Sequence, residues 1–347
     1  MANRAHPRDV LLGAQAAAGL LPVCDHYCGV EARIVKSLGL QAQMAQTHGA
    51  CLFDVTLDCE DGAPVGAEAT HAQMVVDLLA QAHRHAAVSS TIPVRTATRV
   101  HPVDHPAFSS DIQTIVGKAG QFLCHIMVPK VESVDDIEFA IKAVDTAATA
   151  AGVTQAIPLH ALIESPKAVH NAFFIAAHPR VQSLSFGLMD YVSAHAGALP
   201  ASAMAVTSKD GQLGQFEHPV VVRAKLEIAA ACHAAGKVPA HSVITEFNNT
   251  AAMQTAARRA SRDLGFTRMW SIHPSQIQPI LDALAPTESE LDEASQIMQR
   301  AENAAWAPIS YAGQLHDRAS YRYFWQVLAQ GHRTGRKLPA AAMPYFQ

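Results

Sequence analysis

Short apolar runs of strand length alternate with helix-length amphipathic segments eight times along this 347-residue chain, and that alternation restricts the fold more than any other feature. The pattern predicts strands over 20–24, 51–57, 92–94, 122–128, 158–163, 181–188, 238–244 and 268–272. Between them lie segments of helical spacing, among them an alanine-rich stretch over 67–87 and one opened by Ser133, with Asp136 three positions on in capping-box style. Eight strand–helix units favour a closed α/β barrel, the TIM (β/α)8 fold, over an open doubly wound sheet, which more often has five or six strands and a glycine-rich first turn. Neither GxGxxG nor GxxxxGK[ST] follows any of these strands, so nucleotide-binding folds lack their fingerprint. The barrel is predicted over 1–285, followed by a C-terminal helical extension over 286–347 that carries Trp306, Tyr311, Tyr321, Tyr323, Phe324 and Trp325. An aromatic extension outside a complete barrel packs on something, and the reading favours the active-site mouth of a neighbouring subunit over the chain's own.

Composition narrows the partners. Hydrophobic residues make up 49% of the chain, enough for a large core, while charged residues are only 16% and the net charge of -4 is spread without a basic block. Nothing in that distribution would neutralise a phosphate backbone or dock on an anionic membrane, so nucleic acid and lipid are excluded as expected partners. Charge and proline occupy the first nine residues in place of a secretory leader, and no run of about 20 residues is free of polar groups, so a cytoplasmic protein is expected. The six cysteines form no CxxC pair and are read as reduced packing residues; Cys24, His26 and Cys28 make only a weak soft-metal pattern.

Two carboxylates stand out by position. Glu164 and Asp190 each close an apolar run, with one helix-length segment between them. In a barrel every parallel strand ends at the same mouth, so acids ending consecutive strands enter one small volume. At roughly 4 Å and an effective dielectric of about 20 two bare carboxylates repel by about 4 kcal/mol, enough to hold a proton unless a cation joins them. The pair therefore predicts a bound divalent metal. Glu60 and Asp61 after the second strand, Arg95 after the third with Arg99 close behind, and Lys130 after the fourth converge on the same mouth.

In order along the chain, Asp58-Cys59-Glu60-Asp61, Val94-Arg95, Val128-Pro129-Lys130-Val131-Glu132-Ser133, Leu162-Ile163-Glu164, Phe186-Gly187-Leu188-Met189-Asp190 and Ser271-Ile272-His273-Pro274-Ser275-Gln276-Ile277 resemble the HpcH/HpaI aldolase and citrate lyase β-subunit superfamily, which includes malyl-CoA lyases. The resemblance runs from about residue 20 to 320. It implies a TIM barrel assembled as a homo-oligomer, trimer or hexamer, with Mg²⁺ (Mn²⁺ as the alternative) held by Glu164 and Asp190, and Arg95 polarising the reacting carbonyl. Gly313-Gln314-Leu315-His316-Asp317 resembles a C-terminal element whose aspartate reaches a neighbouring subunit's site in malyl-CoA lyases, which would make Asp317 a catalytic residue; capping of the helix that follows is the competing role. Glu60, Asp61, Lys130 and His26 are the expected substrate contacts.

The implied activity is carbon–carbon lysis or aldol-type condensation of a 3-hydroxyacyl-CoA or related hydroxy acid through a metal-stabilised enolate, with an oxoacid and an acyl-CoA as small-molecule partners. Oxygen-only ligation suits Mg²⁺ better than Zn²⁺. Thioester hydrolysis on the same fold and a non-catalytic dicarboxylate-binding or scaffold paralogue are the alternatives. The chain departs from the family at its first strand, where Leu21-Pro22-Val23-Cys24-Asp25-His26-Tyr27 replaces the usual opening, and at Met189, where a small residue is common. These changes imply a reshaped substrate pocket.

Overall fold

The computed structural model describes residues 6–12, 21–89 and 92–346. Eight parallel strands close into a barrel in sequence order: β1 (Cys24–Cys28), β2 (Phe53–Asp58), β3 (Thr96–Arg99), β4 (Leu123–Val128), β5 (Leu159–Ile163), β6 (Val181–Phe186), β7 (Val238–His241) and β8 (Arg268–Ser271), with β8 pairing back onto β1. The crossovers carry α2 (Glu31–His48), α3 (Glu68–Ser89), α4 (Phe108–Ala119), α5 (Val134–Ala150), α6 (Pro166–Ala177), α7 (Leu188–Ser193), α8 (Pro219–Ala234), α9 (Thr250–Arg262) and α10 (Ile277–Leu284); the short α1 (Pro7–Leu12) precedes the barrel. This is the TIM barrel expected from the eightfold alternation. No helix among the described residues is long and apolar enough to cross a membrane.

Two strands lie away from their expected positions, for one reason. The first is 24–28, not 20–24, and the third is 96–99, not 92–94. Hydrophobic pattern misplaces them because the barrel's interior is charged. Arg268 bridges Asp25 and Asp54 at 2.6 Å each, Arg95 Nε donates to Asp54 Oδ1 at 2.5 Å, and the Thr56 hydroxyl donates to Asp25 at 2.7 Å. Buried ions of this kind persist when each finds a partner, and here two aspartates match two arginines. Beside them the His125 and His160 rings stack at 3.6 Å, both held neutral chiefly by burial. One step nearer the C-terminal mouth the interior turns apolar, with Tyr27, Met127, Leu162, Ala240 and Trp270 packed as a layer.

The chain divides into two compact units, one over Pro22–Ala283 and a second in which the described residues up to Leu21 join Leu284 onward. The second thus includes N-terminal chain as well as the expected C-terminal extension. In it α11 (Glu288–Asn303), a hairpin of β9 (Ile309–Tyr311) and β10 (Gln314–His316), and α12 (Arg318–Arg333) surround a core of Leu11, Leu291, Ile297, Met298, Tyr321 and Trp325. Tyr321 is fully buried and donates from its hydroxyl to the Ala307 and His316 carbonyls at 2.8 and 3.1 Å. Of the aromatic residues expected at a neighbour's mouth, Tyr321, Phe324 and Trp325 are buried in this unit's own core, Trp306 and Tyr311 pack against it half-buried, and Tyr323 is exposed.

Candidate active site

At the C-terminal end of the strands one acid organises the next residue in turn. Asp58, the last residue of β2, accepts from the Glu60 and Gly62 backbone N–H groups at 3.0 and 2.9 Å, which folds the loop back over the strand end. It also takes a forked pair from Arg99, Nε at 2.7 Å and Nη2 at 2.5 Å. Burial opposes the Asp58 charge, yet Arg99 and these donors hold its carboxyl below the usual range. Arg99 Nη1 reaches Glu60 at 2.8 Å, and the other Glu60 oxygen accepts from Lys130 Nζ at 2.8 Å. Planar guanidinium and two carboxylates fix one another in a way a flexible ammonium could not.

Lys130 links this chain of charges to the expected metal ligands. Its backbone is left-handed, φ 53°, and its N–H donates to Glu164 Oε1 at 2.6 Å. A non-glycine residue held at positive φ stores strain, and such strain concentrates where a backbone group must be aimed. Glu164 follows β5 directly and is 6% exposed. Gly187, which follows β6, leaves room for it: a Cβ at 187 would lie 2.6 Å from both Cβ and Oε2 of Glu164. Asp190 stands in the first turn of α7, three residues past Gly187, so the sixth strand ends at Phe186 and a helix, not a strand, delivers the second acid.

The electrostatics fit a divalent cation. Burial, and then the neighbouring Asp190 charge, push the Glu164 carboxyl up to about 8. Burial and Glu60 also raise Asp61. Glu60, Asp61, Glu164 and Asp190 outnumber the two cations that face them, Arg99 and Lys130. All-oxygen donors with excess negative charge are the ligand chemistry of Mg²⁺. Two other groupings, Asp25 with His125 and His160, and Asp54 with Cys124 and His125, have metal-ligand spacing. Both are enclosed in the barrel core, and their aspartates are already neutralised by Arg268 and Arg95.

The expected site residues do not all meet. Glu60, Lys130, Glu164 and Asp190 lie at the mouth, with Asp61 mostly exposed at its rim. Arg95 does not. It precedes β3 and pairs with Asp54, four residues below Asp58, at the opposite end of the strands. The arginine at the mouth is Arg99, and its signal was the shared spacing: Asp54 and Asp58 on one strand match Arg95 and Arg99 on the next, so parallel register pairs each arginine with its own aspartate. His26 is buried within β1, one residue out of phase with the inward-facing Asp25 and Tyr27, and its Nδ1 lies 2.6 Å from the Ser271 hydroxyl. Its ring is kept neutral by burial, which lowers it to about 4, so it is a packing residue behind the barrel wall and not a substrate contact. Cys24 and Cys28 are buried thiols whose ionisation burial suppresses. Asp317 belongs to the second unit, where its carboxylate accepts from the Ala319 N–H at 2.9 Å as the N-cap of α12. Tyr27 and Trp270, which no sequence pattern singled out, form the apolar layer directly below the mouth.

Comparison with known proteins agrees with the barrel fold. The chain is similar to L-malyl-CoA/β-methylmalyl-CoA lyase of Cereibacter sphaeroides, 29% identical over 67% of this chain and 75% of that protein. Its fold matches a citrate lyase from Burkholderia xenovorans LB400 with a TM-score of 0.80 at 43% identity, covering 99% of this chain and 100% of that one. The CitE protein of Mycobacterium tuberculosis, solved with magnesium, acetoacetate and coenzyme A, shares the fold at a TM-score of 0.62 and 19% identity over 89% of this chain and 98% of that one. The family model described as HpcH/HpaI aldolase/citrate lyase matches residues 37–274, most of the barrel, and the chain accordingly belongs to that family of carbon–carbon lyases.

Proposed function

We propose that the protein is a Mg²⁺-dependent lyase that cleaves, or in reverse forms, the bond between C2 and C3 of a 3-hydroxyacyl-CoA thioester, with a 2-oxoacid and a shorter acyl-CoA as the products. The observation that carries this reading is the acid pair of buried Glu164 and half-buried Asp190 beside a rigidly held Arg99. The Cereibacter lyase and the Mycobacterium complex with magnesium and coenzyme A support the choice of metal and thioester.

Cleavage removes the proton from the C3 hydroxyl, turns C3 into the oxoacid carbonyl, and leaves the bonding electron pair as a thioester enolate that is then protonated at C2. Glu164 and Asp190 would hold the cation, which supplies positive charge against the oxygens where negative charge grows. Lys130 fixes Glu164 Oε1 through its backbone N–H, and the other oxygen packs against the bare backbone of Gly187. Arg99 takes the polarising role that the resemblance gave Arg95. Its Nε and Nη2 both donate to Asp58 and its Nη1 pairs with Glu60, which holds the guanidinium plane in one orientation toward a substrate oxygen. Glu60 and Lys130 keep that guanidinium in place. Asp317, delivered by a neighbouring subunit, is the acid–base group of this reading, and Asp317→Asn, which preserves an oxygen to cap α12, separates proton transfer from capping.

The test is calorimetric titration of the purified protein with Mg²⁺ followed by an oxoacid, on the wild type, Glu164→Gln and Asp190→Asn. Wild-type binding that EDTA abolishes, and a loss of at least roughly 100-fold in either variant, is the expected result. Metal-independent oxoacid binding, or full binding in both variants, overturns the proposal.

A further inference from the structure

We infer that Lys225 is a positioning residue for Asp190: from α8 it pins the connection between β6 and α8, and through that connection it sets where the second expected metal ligand stands. The inference rests on the lyase reading above and adds to its site a residue that lies outside the mouth.

Residues 187–218 form the longest strand-to-helix connection at the mouth, and Asp190 lies near its start, in α7. That helix has only six residues, too few to hold its place without packing. Tyr191, next to Asp190, sets its ring edge-on to Phe186 at 5.3 Å and donates from its hydroxyl to the Val220 carbonyl of α8 at 3.4 Å. The helix also packs on a short helical turn, Ala201–Met204. Gln215 closes the connection onto that turn. Its backbone N–H donates to the Ala205 carbonyl at 2.8 Å and its side-chain amide to the Met204 carbonyl at 3.1 Å. Its two oxygens, the backbone carbonyl and Oε1, both accept from Lys225 Nζ, at 3.1 and 2.8 Å. Lys225 thus ties the returning arm of the connection, and with it the turn under α7, to the fixed frame of α8.

The chemistry of Lys225 argues for that role. It is fully buried, and its hydrogen bonds go to Gln215 and not to a carboxylate. Glu217, the acid whose charge reaches it, is already bound to Arg259 and to the Ser208 hydroxyl. Burial, and then the Arg259 charge, push its amine well below the ordinary lysine value. On its remaining side Nζ meets the face of Phe216, 4.0 Å from the ring centre, and that ring is stacked in turn on His241. An apolar side chain of the same length would fill this space without desolvating an amine, but it could not donate to Gln215.

The connection also carries a reporter. Lys209 is the one lysine or arginine between Arg180 and Arg223. It opens an exposed tight turn in which Asp210 and Gly211 have φ of 53° and 77°, and in which residues 209 and 212 exchange backbone hydrogen bonds at 3.0 and 2.9 Å. Trypsin cuts after Lys209 once that closed turn opens, so the cleavage rate follows release of the connection.

Trypsin digestion and calorimetric Mg²⁺ titration of the full chain test the inference on the wild type, Lys225→Met, Gln215→Leu and the double variant. Lys225→Met should speed cleavage after Lys209 and weaken Mg²⁺ binding, each at least about five-fold. Gln215→Leu should do the same in smaller measure, because its backbone carbonyl still accepts from Lys225, and the double variant should fall short of the product of the single effects. Ile228→Val, a buried truncation further along α8, should lower the melting temperature and move neither readout, which separates positioning from general loss of stability. Gln215→Leu serves alone where Lys225→Met does not fold. Faster cleavage with Mg²⁺ affinity within about two-fold of wild type overturns the positioning of Asp190, and unchanged cleavage in both single variants overturns the anchor. Absence of Mg²⁺ binding by the wild type removes the lyase reading and the positioning role with it, whatever the protease shows.

Discussion

At Gly187 one missing methyl group gives the Glu164 carboxylate its place beside the strand end. Gly187→Ala would place a Cβ 2.6 Å from both the Cβ and Oε2 of Glu164, and because the Glu164 Cβ is fixed to its backbone, the ends of the two strands must shift along with the carboxylate. The expected outcome is an apparent Mg²⁺ affinity reduced at least ten-fold by calorimetry together with a lowered melting temperature. Unchanged metal affinity in a folded Gly187→Ala protein would remove Glu164 from the ligand set. At this scale the acids were legible in sequence because each ends a recognisable apolar run. Arginines were not, since Arg95 and Arg99 lie four residues apart in one short segment and are told apart by which aspartate of the adjacent strand lies opposite.

The β4–α5 connection is the element on which the mouth's backbone strain rests. Its far end is fastened by Asp136, whose Oδ2 accepts from the Glu132 and Ser133 N–H groups at 2.8 and 3.0 Å, the capping box that the sequence pattern predicts. Removing that acceptor leaves two N–H groups of the helix entrance unpaired, and loss of a cap of this kind costs on the order of 1–2 kcal/mol. Asp136→Ala should therefore lower the unfolding free energy from urea titration by that amount while Asp136→Asn retains most of it; equal stability of the alanine variant would show that water replaces the cap. Helix α5 was readable because caps and helical periodicity are local. Strands β1 and β3 were not, because their inward positions hold Asp25, Tyr27, Arg99 and the small Ala97 in place of the aliphatic residues that usually betray a buried strand.

Across the whole molecule, the charged barrel core makes stability depend on pH with a defined sign. His26 and His125 are held neutral by burial, their folded values lowered to about 4 and about 3 from an ordinary 6.5. The unfolded chain thus takes up protons on these rings first, so the stability they permit is full above about pH 6.5 and is lost as pH falls through the window down to those folded values. For His26 alone the full effect is on the order of 3 kcal/mol. Glu164, raised to about 8, acts in the opposite sense as a single group, so urea midpoints should still decline from pH 6.5 to 5, where the two rings outweigh it; a flat profile over that range would mean that both rings gain charge-stabilising partners in the fold. What the sequence by itself determined is the repeating pattern of eight units, their closure into a barrel, and the two acids that mark its mouth, because periodicity and strand-end position are properties of contiguous residues. Which arginine faces those acids, where the first and third strands begin, why His26 turns away, and what packs beneath the mouth were decided by tertiary structure. Each of these follows from the register between strands dozens of residues apart and from ion pairs such as Arg268 with Asp25 and Asp54, which exist only once the barrel has closed.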